Sequence, residues 1–316
     1  MASIVVLGSL NQDLVITVQH LPQPGETVLG ERLGNYPGGK GANQAVAAAR
    51  LGGQVALVGR VGNDSFGASL IKNLESNGVD ASGVDRDPET PSGAALIYVD
   101  HHGQNMIAVA PGANATVGPA DAQRAVARLA PGDLLVMQLE IPVAVIEQAA
   151  QAARRVGALV LLNAAPAQRL GPGLLSQLDA LVVNEHEARA LSVDEREAGA
   201  LADEGSPETA AAALRAMGPR IAIVTLGADG SVFCDETGVH RVEPYRVQAI
   251  DSTGAGDAFM GALAVALAAT LPTAAAIRFA NAAGAVATSS LGAQAALPRL
   301  EDLRRLFGVH VPSLEA

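Results

Sequence analysis

IDSTGAGDAFMGALAVALAAT, residues 250–270, is the stretch from which the fold and the chemistry of this chain can be worked out. Gly254, Gly256 and Asp257 directly precede a run of small apolar residues that is too long and too rich in alanine for a strand. The pattern predicts a tight turn that leads into the N-terminus of a buried helix. Such an N-terminus favours an anion, because its first N–H groups have no intrahelical partner and glycine lets the backbone close around a ligand. An ordinary first-turn acid that complements the helix dipole is the alternative interpretation of Asp257.

The composition of the 316-residue chain indicates a large aliphatic core. Hydrophobic residues make up 49% of the chain, but aromatic residues only 3%, and tryptophan is absent. The formal net charge of −11 disfavours a nucleic-acid partner, because nucleic-acid binding depends on clustered Lys and Arg. The apolar run 258–271 is shorter than a bilayer span and predicts a buried helix, so we expect no membrane insertion.

The cysteine content and the first residues bear on the cellular compartment. Cys234 is the one cysteine of the chain, which excludes an internal disulfide and a multi-cysteine metal site. The first residues, MASIVVLGSLNQD, lack the basic segment and the long apolar run of a secretion signal. Both observations predict a cytoplasmic protein.

Apolar runs typical of buried strands alternate with helical segments along most of the chain. We expect strands at residues 4–7, 54–58, 134–139, 159–163, 180–183 and 221–226. We expect helices at residues 42–51, 66–77, 120–129, 143–156, 208–217, 273–289 and 300–307. Strands that alternate with helices form a mostly parallel sheet covered on both faces. The pattern therefore predicts a single α/β domain over residues 1–316, a Rossmann-like three-layer sandwich.

Two segments depart from this alternation. Residues 14–20 and 27–33 flank a proline-rich turn, and residues 94–110 carry AALIYVD and NMIAVA on either side of a polar turn. Both segments show hairpin signals. We therefore expect a small β-sheet lid, inserted from about residues 12–38 and 93–110. The acidic, alanine-rich segment 192–213 is expected to be an exposed loop and helix.

A second glycine-rich segment precedes the helix predicted at residues 42–51. Residues 34–41, GNYPGGKG, match the first seven positions of a P-loop, but lack the Ser or Thr after the lysine and the buried strand before the loop. We expect instead a glycine-rich turn, with Asn43 in the first helical turn, that holds a polyhydroxyl ligand close to the backbone. An ordinary loop-to-helix junction is the alternative. No dinucleotide fingerprint GxGxxG follows the first strand.

Polar residues follow four of the predicted strands. The carboxyl ends of parallel strands lie at the same edge of a sheet, so these residues are expected to converge on one cleft. They are Asn11, Asp13, Glu140, Asn184, Glu187 and Thr225 to Gly227. Asn184 and Glu187 have the spacing of an N-cap and its capping box, and Glu187 is also a candidate to hold Mg²⁺ through water.

Two segments together resemble the two signatures of the PfkB-type carbohydrate kinases. They are GGKGANQAVA at residues 38–47 and DSTGAGDAF at residues 251–259. The resemblance continues through GSLNQD, MQLE, NAAPA, NEHEA and TLGADG, and it covers essentially the whole chain. It implies an ATP-dependent sugar kinase that, with Mg²⁺, phosphorylates the 5-hydroxyl of ribose.

The resemblance implies a role for each matching position. Asp257 would be the general base, and the backbone N–H groups of Gly254, Ala255 and Gly256 would form an anion hole. The sugar would be held by Asn11, Asp13, Gly39, Lys40, Asn43 and Glu140. Asn184 and Glu187 would lie near the phosphates and Mg²⁺, and the ATP pocket would be lined by Thr225, Gly227, Gly230, Gly256 and Asn281.

The family also uses a monovalent cation, usually K⁺, beside the anion hole. Asp251 and Thr253 match two of its ligand positions, and Ala287, Ser290 and Gly292 would supply carbonyl groups. Ala296 departs from the pattern, because ribose-specific members commonly have a serine ligand there; a carbonyl group or water would have to replace it. Lids in these kinases also pair two subunits, so the resemblance implies a homodimer.

Three other functions compete with this interpretation. A sibling kinase for 2-deoxyribose, fructose or a nucleoside would use the same machinery. A non-catalytic sugar- or nucleotide-binding regulator on the same fold is disfavoured by the intact Asp257 and GAG motif. An NAD-dependent oxidoreductase is disfavoured by the missing dinucleotide fingerprint.

Overall fold

The computed structural model describes residues 1–191 and 205–309, and within them thirteen strands form two sheets. The strands are β1 (Ile4–Leu7), β2 (Asn11–Val18), β3 (Gly30–Gly38), β4 (Val55–Gly62), β5 (Asp80–Asp87), β6 (Gly93–Val99), β7 (Asn105–Ala110), β8 (Leu134–Gln138), β9 (Leu159–Asn163), β10 (Ala180–Asn184), β11 (Ile221–Thr225), β12 (Ser231–Asp235) and β13 (Gly238–Val242). The main sheet has the order β13-β12-β11-β10-β9-β8-β1-β4-β5. Its neighbours pair in parallel except β11 with β12 and β12 with β13, which confirms the mostly parallel sheet.

Helices cover both faces of the main sheet. They are α1 (Lys40–Arg50), α2 (Ser65–Ser76), α3 (Pro119–Val126), α4 (Val143–Arg155), α5 (Pro172–Leu175), α6 (Glu185–Ala190), α7 (Pro207–Ala216), α8 (Ala255–Ala268), α9 (Thr273–Ala287), α10 (Ala293–Ala296) and α11 (Leu300–Phe307). Two short 3-10 helices, Gly112–Thr116 and Gly227–Asp229, complete the described elements.

The strand β1 shows why the core has two halves. Ile4 and Val6 pack in one apolar cluster with α1, α8 and α9, whereas Val5 and Leu7 pack in another with α3 and α4. Successive side chains of a strand point to opposite faces, so a strand covered on both sides must be apolar at every position. The apolar sequences of β1 and, up to their last residues, of β8 and β9 therefore specify the middle layer of the predicted three-layer sandwich.

A close crossing of α8 over α1 sets the position of the DSTGAGD segment. A Cβ atom added to Gly261 would lie 2.6 Å from Ala47 Cβ and 2.8 Å from Ala48 N, so the two helices touch almost backbone to backbone. Small residues on both helices make this approach possible. The crossing brings Asp257, at the start of α8, beside Asn43 and Gln44 of α1.

The small sheet is built from two hairpins with the order β3-β2-β6-β7. β2 and β3 pair antiparallel, as do β6 and β7, and the parallel pairing of β2 with β6 joins the hairpins. β3 continues to Gly38, which pairs with Asn11. The prediction of a glycine-rich turn at residues 34–41 is therefore wrong for residues 34–38, because pairing with β2 holds this polar segment in an extended conformation.

Three strands of the main sheet were not predicted. They are β5 (DASGVDRD) and β13 (GVHRV), which are the two edge strands of the sheet, and β12 (SVFCD), which lies between β11 and β13. Edge strands need less apolar surface than central ones, and pairing with a neighbour rather than local sequence fixes their conformation. Of the segment 192–213, residues 192–204 lie outside the described residues, and α7 begins at Pro207. Among residues 1–191 and 205–309, every helix is too short or too polar to cross a membrane.

Candidate active site

Polar residues converge at the carboxyl ends of the central strands. Ser9 follows β1, Glu140 follows β8 and Asn163 ends β9, and each is hydrogen-bonded to α1. The N-termini of α1 and α8 meet at the same place. The cleft therefore combines polar side chains from several strands with the positive ends of two helix dipoles.

Asp257 lies in the first turn of α8 and is buried. Its Oδ2 accepts a hydrogen bond from Asn43 Nδ2 at 2.8 Å, and its Oδ1 accepts one from Gln44 Nε2 at 3.0 Å. Burial raises the pKa of Asp257 above its ordinary value, although the charge of Lys40 and the two amide donors oppose this rise. An acid that merely complemented the helix dipole would lie in solvent, so the enclosure of Asp257 favours a chemical role.

The backbone before Asp257 is open to a ligand. Gly254 caps α8 in the left-handed conformation, with φ of 79°, and a Cβ atom there would lie 3.1 Å from Ala293 Cα. Gly256 is exposed, and a Cβ atom on it would meet no heavy atom of the described residues within 4 Å. α8 thus begins at a left-handed turn that requires glycine. The N–H of Ala255 donates to Ser252 O at 3.2 Å, and the backbone at Gly256 borders free space, as an anion site requires.

Glu140 fixes the start of α1. Its Oε2 accepts hydrogen bonds from Ser9 Oγ at 2.6 Å and from the backbone N of Lys40 at 3.0 Å. Gly39, the residue before the helix, has φ of 86°, and a Cβ atom there would lie 2.7 Å from the backbone N of Asn11. The GGKG segment therefore brings the backbone of β2 and α1 into contact, and glycine is required at position 39.

Lys40 provides positive charge in a cleft that is otherwise acidic. Burial lowers the pKa of Lys40, but the charges of Asp257, Glu140 and Glu187 outweigh this effect and raise the pKa overall. The ammonium group therefore stays charged and reduces the mutual repulsion of the carboxylates.

Asn11 and Asp13 enter the cleft from β2. Asn114, in the 3-10 helix after β7, donates from Nδ2 to Asn11 Oδ1 at 2.7 Å and to Leu10 O at 3.0 Å. With Oδ1 of Asn11 so occupied, its Nδ2 is the atom left to meet a ligand. Asp13 lies against Gly38, where a Cβ atom would be 2.1 Å from Asp13 Oδ2. Burial, together with the charges of Glu140 and Asp257, raises the pKa of Asp13 to about 7.

Asn184 and Glu187 form the capping box expected from their spacing. Asn184 Oδ1 accepts from the backbone N of Glu187, and Glu187 Oε2 accepts from the backbone N of Asn184, both at 2.8 Å. Burial raises the pKa of Glu187 and outweighs the opposing effects of the Asn184 N–H and the charge of Lys40. Since Glu187 and Lys40 interact, the end of β10 belongs to the same cleft.

The residues predicted for the ATP pocket have different structural settings. Thr225 donates from Oγ1 to Val183 O at 3.2 Å, and Gly227 is exposed. Gly230 is required by the fold, because its φ is 82° and a Cβ atom there would lie 2.3 Å from Val242 O. Asn281 is buried, accepts from Ser231 Oγ, and donates from Nδ2 to Val242 O and Glu243 O. Asn281 and Gly230 therefore both hold the chain where it leaves β13.

The residues predicted for the cation lie in one loop cluster. Asp251 Oδ1 accepts from the N and Oγ1 of Thr253, and Asp251 Oδ2 accepts from the N of Gly292 at 2.8 Å. Burial raises the pKa of Asp251, but these hydrogen bonds outweigh it and lower the pKa overall. Ser290 lies in the same loop, and Ala287 ends α9 just before it. Groups of three or more His, Cys, Asp or Glu side chains suited to a metal are absent from residues 1–191 and 205–309.

Five polar residues that complete the cleft were not assigned a role from the sequence. They are Ser9, Gln44, Asn114, Gln138 and Asn163. Gln138 and Asn163 each end an otherwise apolar buried strand, LLVMQ and LVLLN. A single polar residue at the end of such a run is a signal that could have found them, since a buried amide must have a hydrogen-bonding partner.

Two cavities lie away from this cleft. One of about 260 Å³ is found at the amino ends of β9, β10 and β11, where the Asp179 carboxylate is already paired with Arg154 and Arg220. The other, of about 500 Å³, is lined by Tyr245, Phe307 and neighbours. Neither cavity adjoins the residues around Asp257, so the volume of a cavity does not by itself identify the candidate active site.

Comparisons with known proteins bear on the same cleft. Residues 1–300 match the model of the pfkB family carbohydrate kinases. The chain is 40% identical over 301 residues to ribokinase of Haemophilus influenzae, covering 95% of this chain and 96% of that protein.

Two solved structures extend the likeness to the fold. The crystal structure of ribokinase from Thermotoga maritima superposes with a TM-score of 0.87 at 35% identity, covering 98% of this chain and 100% of the other. The structure of Arabidopsis thaliana ribokinase complexed with ribose and ATP has a TM-score of 0.84 at 27% identity, covering 98% and 99%.

The raised pKa of Asp13 predicts a pH-dependent gain in stability for Asp13→Asn. A carboxyl group whose pKa is 3.8 in the unfolded chain and about 7 in the folded protein lowers the free energy of unfolding as the pH increases between these two values. We expect Asp13→Asn to raise the Tm by about 2–6 °C at pH 8.5, and by less than half as much at pH 5. Thermal unfolding followed by circular dichroism measures the difference.

Asp64→Asn is the control for this prediction. Burial raises the pKa of Asp64, the N-cap of α2, but hydrogen bonds from Ser92 and Gly67 outweigh it and lower the pKa overall. Its replacement should therefore lower the Tm at pH 8.5. An Asp13→Asn gain of the same size at both pH values would contradict the assignment of the effect to ionisation.

Proposed function

Because the chain belongs to the pfkB family carbohydrate kinases, we propose that it transfers the γ-phosphoryl group of ATP to the 5-hydroxyl of D-ribose, giving ribose 5-phosphate. It is a phosphotransferase with an alcohol acceptor. The observation that carries the proposal is the place of Asp257, a buried carboxylate held by α1 and next in sequence to the open backbone of Gly256. A base and an anion-binding backbone thereby lie side by side, as phosphoryl transfer to a hydroxyl requires.

The cleft offers the sugar hydroxyls both donors and acceptors. Asn43 Oδ1 is buried and accepts no hydrogen bond from the described residues, although Asn43 Nδ2 is bound to Asp257. A buried acceptor without a partner costs about 1–3 kcal/mol, which a ligand hydroxyl would relieve. Asn11 presents Nδ2, and the carboxylates of Asp13 and Glu140 accept. At the start of α1, the backbone of Gly39 would line the sugar site and the ammonium group of Lys40 would supply positive charge.

The residues around Asp257 suggest how the transfer proceeds. Asp257 accepts the proton of the 5-hydroxyl while the oxygen of that hydroxyl bonds to the γ-phosphorus. The bond between the γ-phosphorus and the β–γ bridging oxygen breaks, which releases ADP. The N–H groups of Gly254, Ala255 and Gly256 stabilise the charge on the transferred oxygens. Lys40 adds positive charge, and the proton leaves Asp257 when the product departs.

The nucleotide would lie between the end of β10 and the loops around β11 and α9. Thr225, Gly227 and the backbone of Gly256 would border this space. Asn184, Gly227 and Gly256 are exposed. Gly230 and Asn281 shape the pocket by fixing the chain after β13. We propose that they act through this support as well as through direct contact with ATP.

The residues present fit Mg²⁺ and K⁺. Glu187 is a single buried carboxylate with one oxygen committed to the capping box, which suits a divalent ion that keeps most of its water. Asp251, Thr253, Ala287, Ser290 and Gly292 offer K⁺ one carboxylate and several carbonyl oxygens, and Ala296 adds none from its side chain. When bound, Mg²⁺ would neutralise phosphate charge and K⁺ would add positive potential beside the anion hole.

The small sheet would act as a lid over the sugar. β2 carries Asn11 and Asp13 into the cleft, and the two hairpins join beside them through pairing of Asn11 with Gly93. A lid of this kind excludes water that could otherwise accept the phosphoryl group.

Two alternatives are separated by experiment. A sibling kinase for 2-deoxyribose, fructose or a nucleoside would share Asp257 and the anion hole and differ in the hydroxyls that Asn11 and Asp13 bind. A non-catalytic binder has no use for a buried carboxylate held by two amide donors at a helix start, which disfavours it.

A panel of sugars and nucleosides with MgATP tests the function. We expect the highest kcat/KM for D-ribose among ribose, 2-deoxyribose, fructose and adenosine. Asp257→Asn should keep sugar and ATP binding but lower kcat by about 10²–10⁴-fold, because it cannot accept the proton. Coupled ADP release and calorimetric titration measure both. Near-normal kcat in Asp257→Asn would exclude Asp257 as the base. A higher kcat/KM for another acceptor would contradict the assignment of ribose as the substrate.

Potassium should stimulate the reaction and stabilise the protein. At constant ionic strength, we expect higher kcat and a higher Tm in K⁺ than in Na⁺, because Asp251 and the carbonyl groups suit the larger ion. Asp251→Asn should remove the difference, and Ala296→Ser should strengthen the response to K⁺ by restoring a hydroxyl ligand. Equal activity and equal Tm in the two salts would refute the cation site.

We propose a homodimer formed through the outer face of the small sheet. Leu33, Leu96 and Met106 lie on the face opposite to Asp13 and are 67%, 44% and 47% exposed. Aligned exposed apolar side chains of this kind mark an interface. Analytical ultracentrifugation should show a dimer that Met106→Glu converts to monomers, whereas Val239→Glu on β13 should not. A wild-type monomer at micromolar concentration would overturn the proposal.

A further inference from the structure

A chain of buried amides reaches Asp257 from the middle of the main sheet. Gln138 Nε2 donates to Gln44 Oε1 at 2.8 Å, and Gln44 Nε2 donates both to Asp257 Oδ1 at 3.0 Å and to Asn163 Oδ1 at 3.1 Å. Gln44 is 1% exposed and Gln138 is 0% exposed. The amides come from α1, β8 and β9, so three elements hold the carboxylate on a fourth, α8.

The polarity of this chain is determined by the charge on Asp257. An ionised carboxylate can only accept hydrogen bonds, so Gln44 must direct Nε2 to Asp257 and Oε1 away from it. Gln44 Oε1 then needs a donor, which Gln138 provides. Both N–H bonds of the Gln44 amide and its oxygen are engaged within the protein, which leaves Gln44 no polar atom for a substrate.

The two donors on Asp257 come from neighbouring residues of one helical turn. Asn43 bonds Oδ2 and Gln44 bonds Oδ1, so each carboxylate oxygen is held by a different amide. Gln44 itself lies at the crossing of α1 and α8, since a Cβ atom on Gly261 would be 2.9 Å from Gln44 O. Rotation of the carboxylate would break at least one of these bonds.

We propose, on the basis of the sugar kinase function above, that Gln44 is the positioning residue of the base Asp257, and that Gln138 and Asn163 fix the orientation of the Gln44 amide. Gln44 holds one oxygen of Asp257 and stabilises its ionised form, while Asn43 faces the sugar with its second polar atom. The charged groups that also act on Asp257 are Lys40, Glu140, Asp13 and Glu187, from α1, the turn after β8, β2 and α6.

The test is the pH dependence of kcat at saturating ribose and MgATP, where ionisation of groups that govern binding does not limit the rate. Loss of a donor disfavours the ionised base, so Gln44→Leu should move the acidic limb of the kcat profile upward by about one pH unit. The isosteric Gln44→Glu should move it further, because a second carboxylate would face Asp257. Gln138→Leu should move it less than Gln44→Leu, and should add nothing in the Gln44→Leu background.

Gln168→Leu is the matched control. Gln168 Nε2 donates to Leu139 O at 2.7 Å, next to the cleft but not to Asp257, and its loss should leave the acidic limb in place. If Gln44→Leu and Gln44→Glu lower kcat equally at every pH without moving the limb, Gln44 is only structural and the proposal is overturned. If Gln138→Leu shifts the limb equally in both backgrounds, the amide chain does not act as a unit and the proposed role of Gln138 is overturned.

A second readout separates this proposal from the proposed function. The carboxyl ¹³C resonance of Asp257, identified by its loss in Asp257→Asn, reports the ionisation of this residue without turnover. The pH midpoint of the titration of this resonance should rise from the wild type to Gln44→Leu and further to Gln44→Glu. If no sugar is phosphorylated but this order is observed, the function fails and the positioning role of Gln44 holds. If ribose is phosphorylated but the midpoint is unchanged in both variants, the function holds and the positioning role fails.

Discussion

The buried charge of Asp257 is the constraint on which the cleft depends. A carboxylate at this depth is unfavourable unless donors and positive charge surround it. The structure supplies amide donors from Asn43 and Gln44, the ammonium group of Lys40 and the N-terminus of α8. These groups can meet only because Gly261 lets α8 approach α1 at backbone distance. The packing of two alanine-rich helices is therefore part of the chemistry of the site.

The rest of the cleft is acidic, and this has a cost in the free protein. Four carboxyl groups interact electrostatically with one another or with Lys40, namely those of Asp13, Glu140, Asp257 and Glu187. Burial raises the pKa of Asp13 and of Glu187. Such a cluster destabilises the unliganded fold, while sugar hydroxyls and cations relieve the repulsion. Stability sacrificed at a site that must bind polar ligands is a common consequence of selection for function.

Sequence patterns located the central elements of the fold but not its edges. β9 and α11 have their predicted bounds, because an apolar run that follows a glycine and ends at a polar residue, and an amphipathic period, are local properties. The edge strand β5 carries Asp and Gly in place of an apolar alternation, and only its pairing with β4 makes it a strand. The same holds for residues 34–38, which become part of strand β3 through pairing with β2.

The sequence by itself determined the middle of the sandwich, the glycine turn before a buried helix, and the capping box of Asn184 and Glu187, since each depends on residues within a few positions of one another. Family signatures added the kind of reaction and the expectation that Asp257 is its base. Only the tertiary structure decided that Gln44, Gln138 and Asn163 form one chain of amides ending at Asp257, and that Asn114 fixes the amide of Asn11. These contacts join residues about a hundred or more positions apart, and hydrogen-bond polarity, which no local pattern records, sets which atom each amide presents.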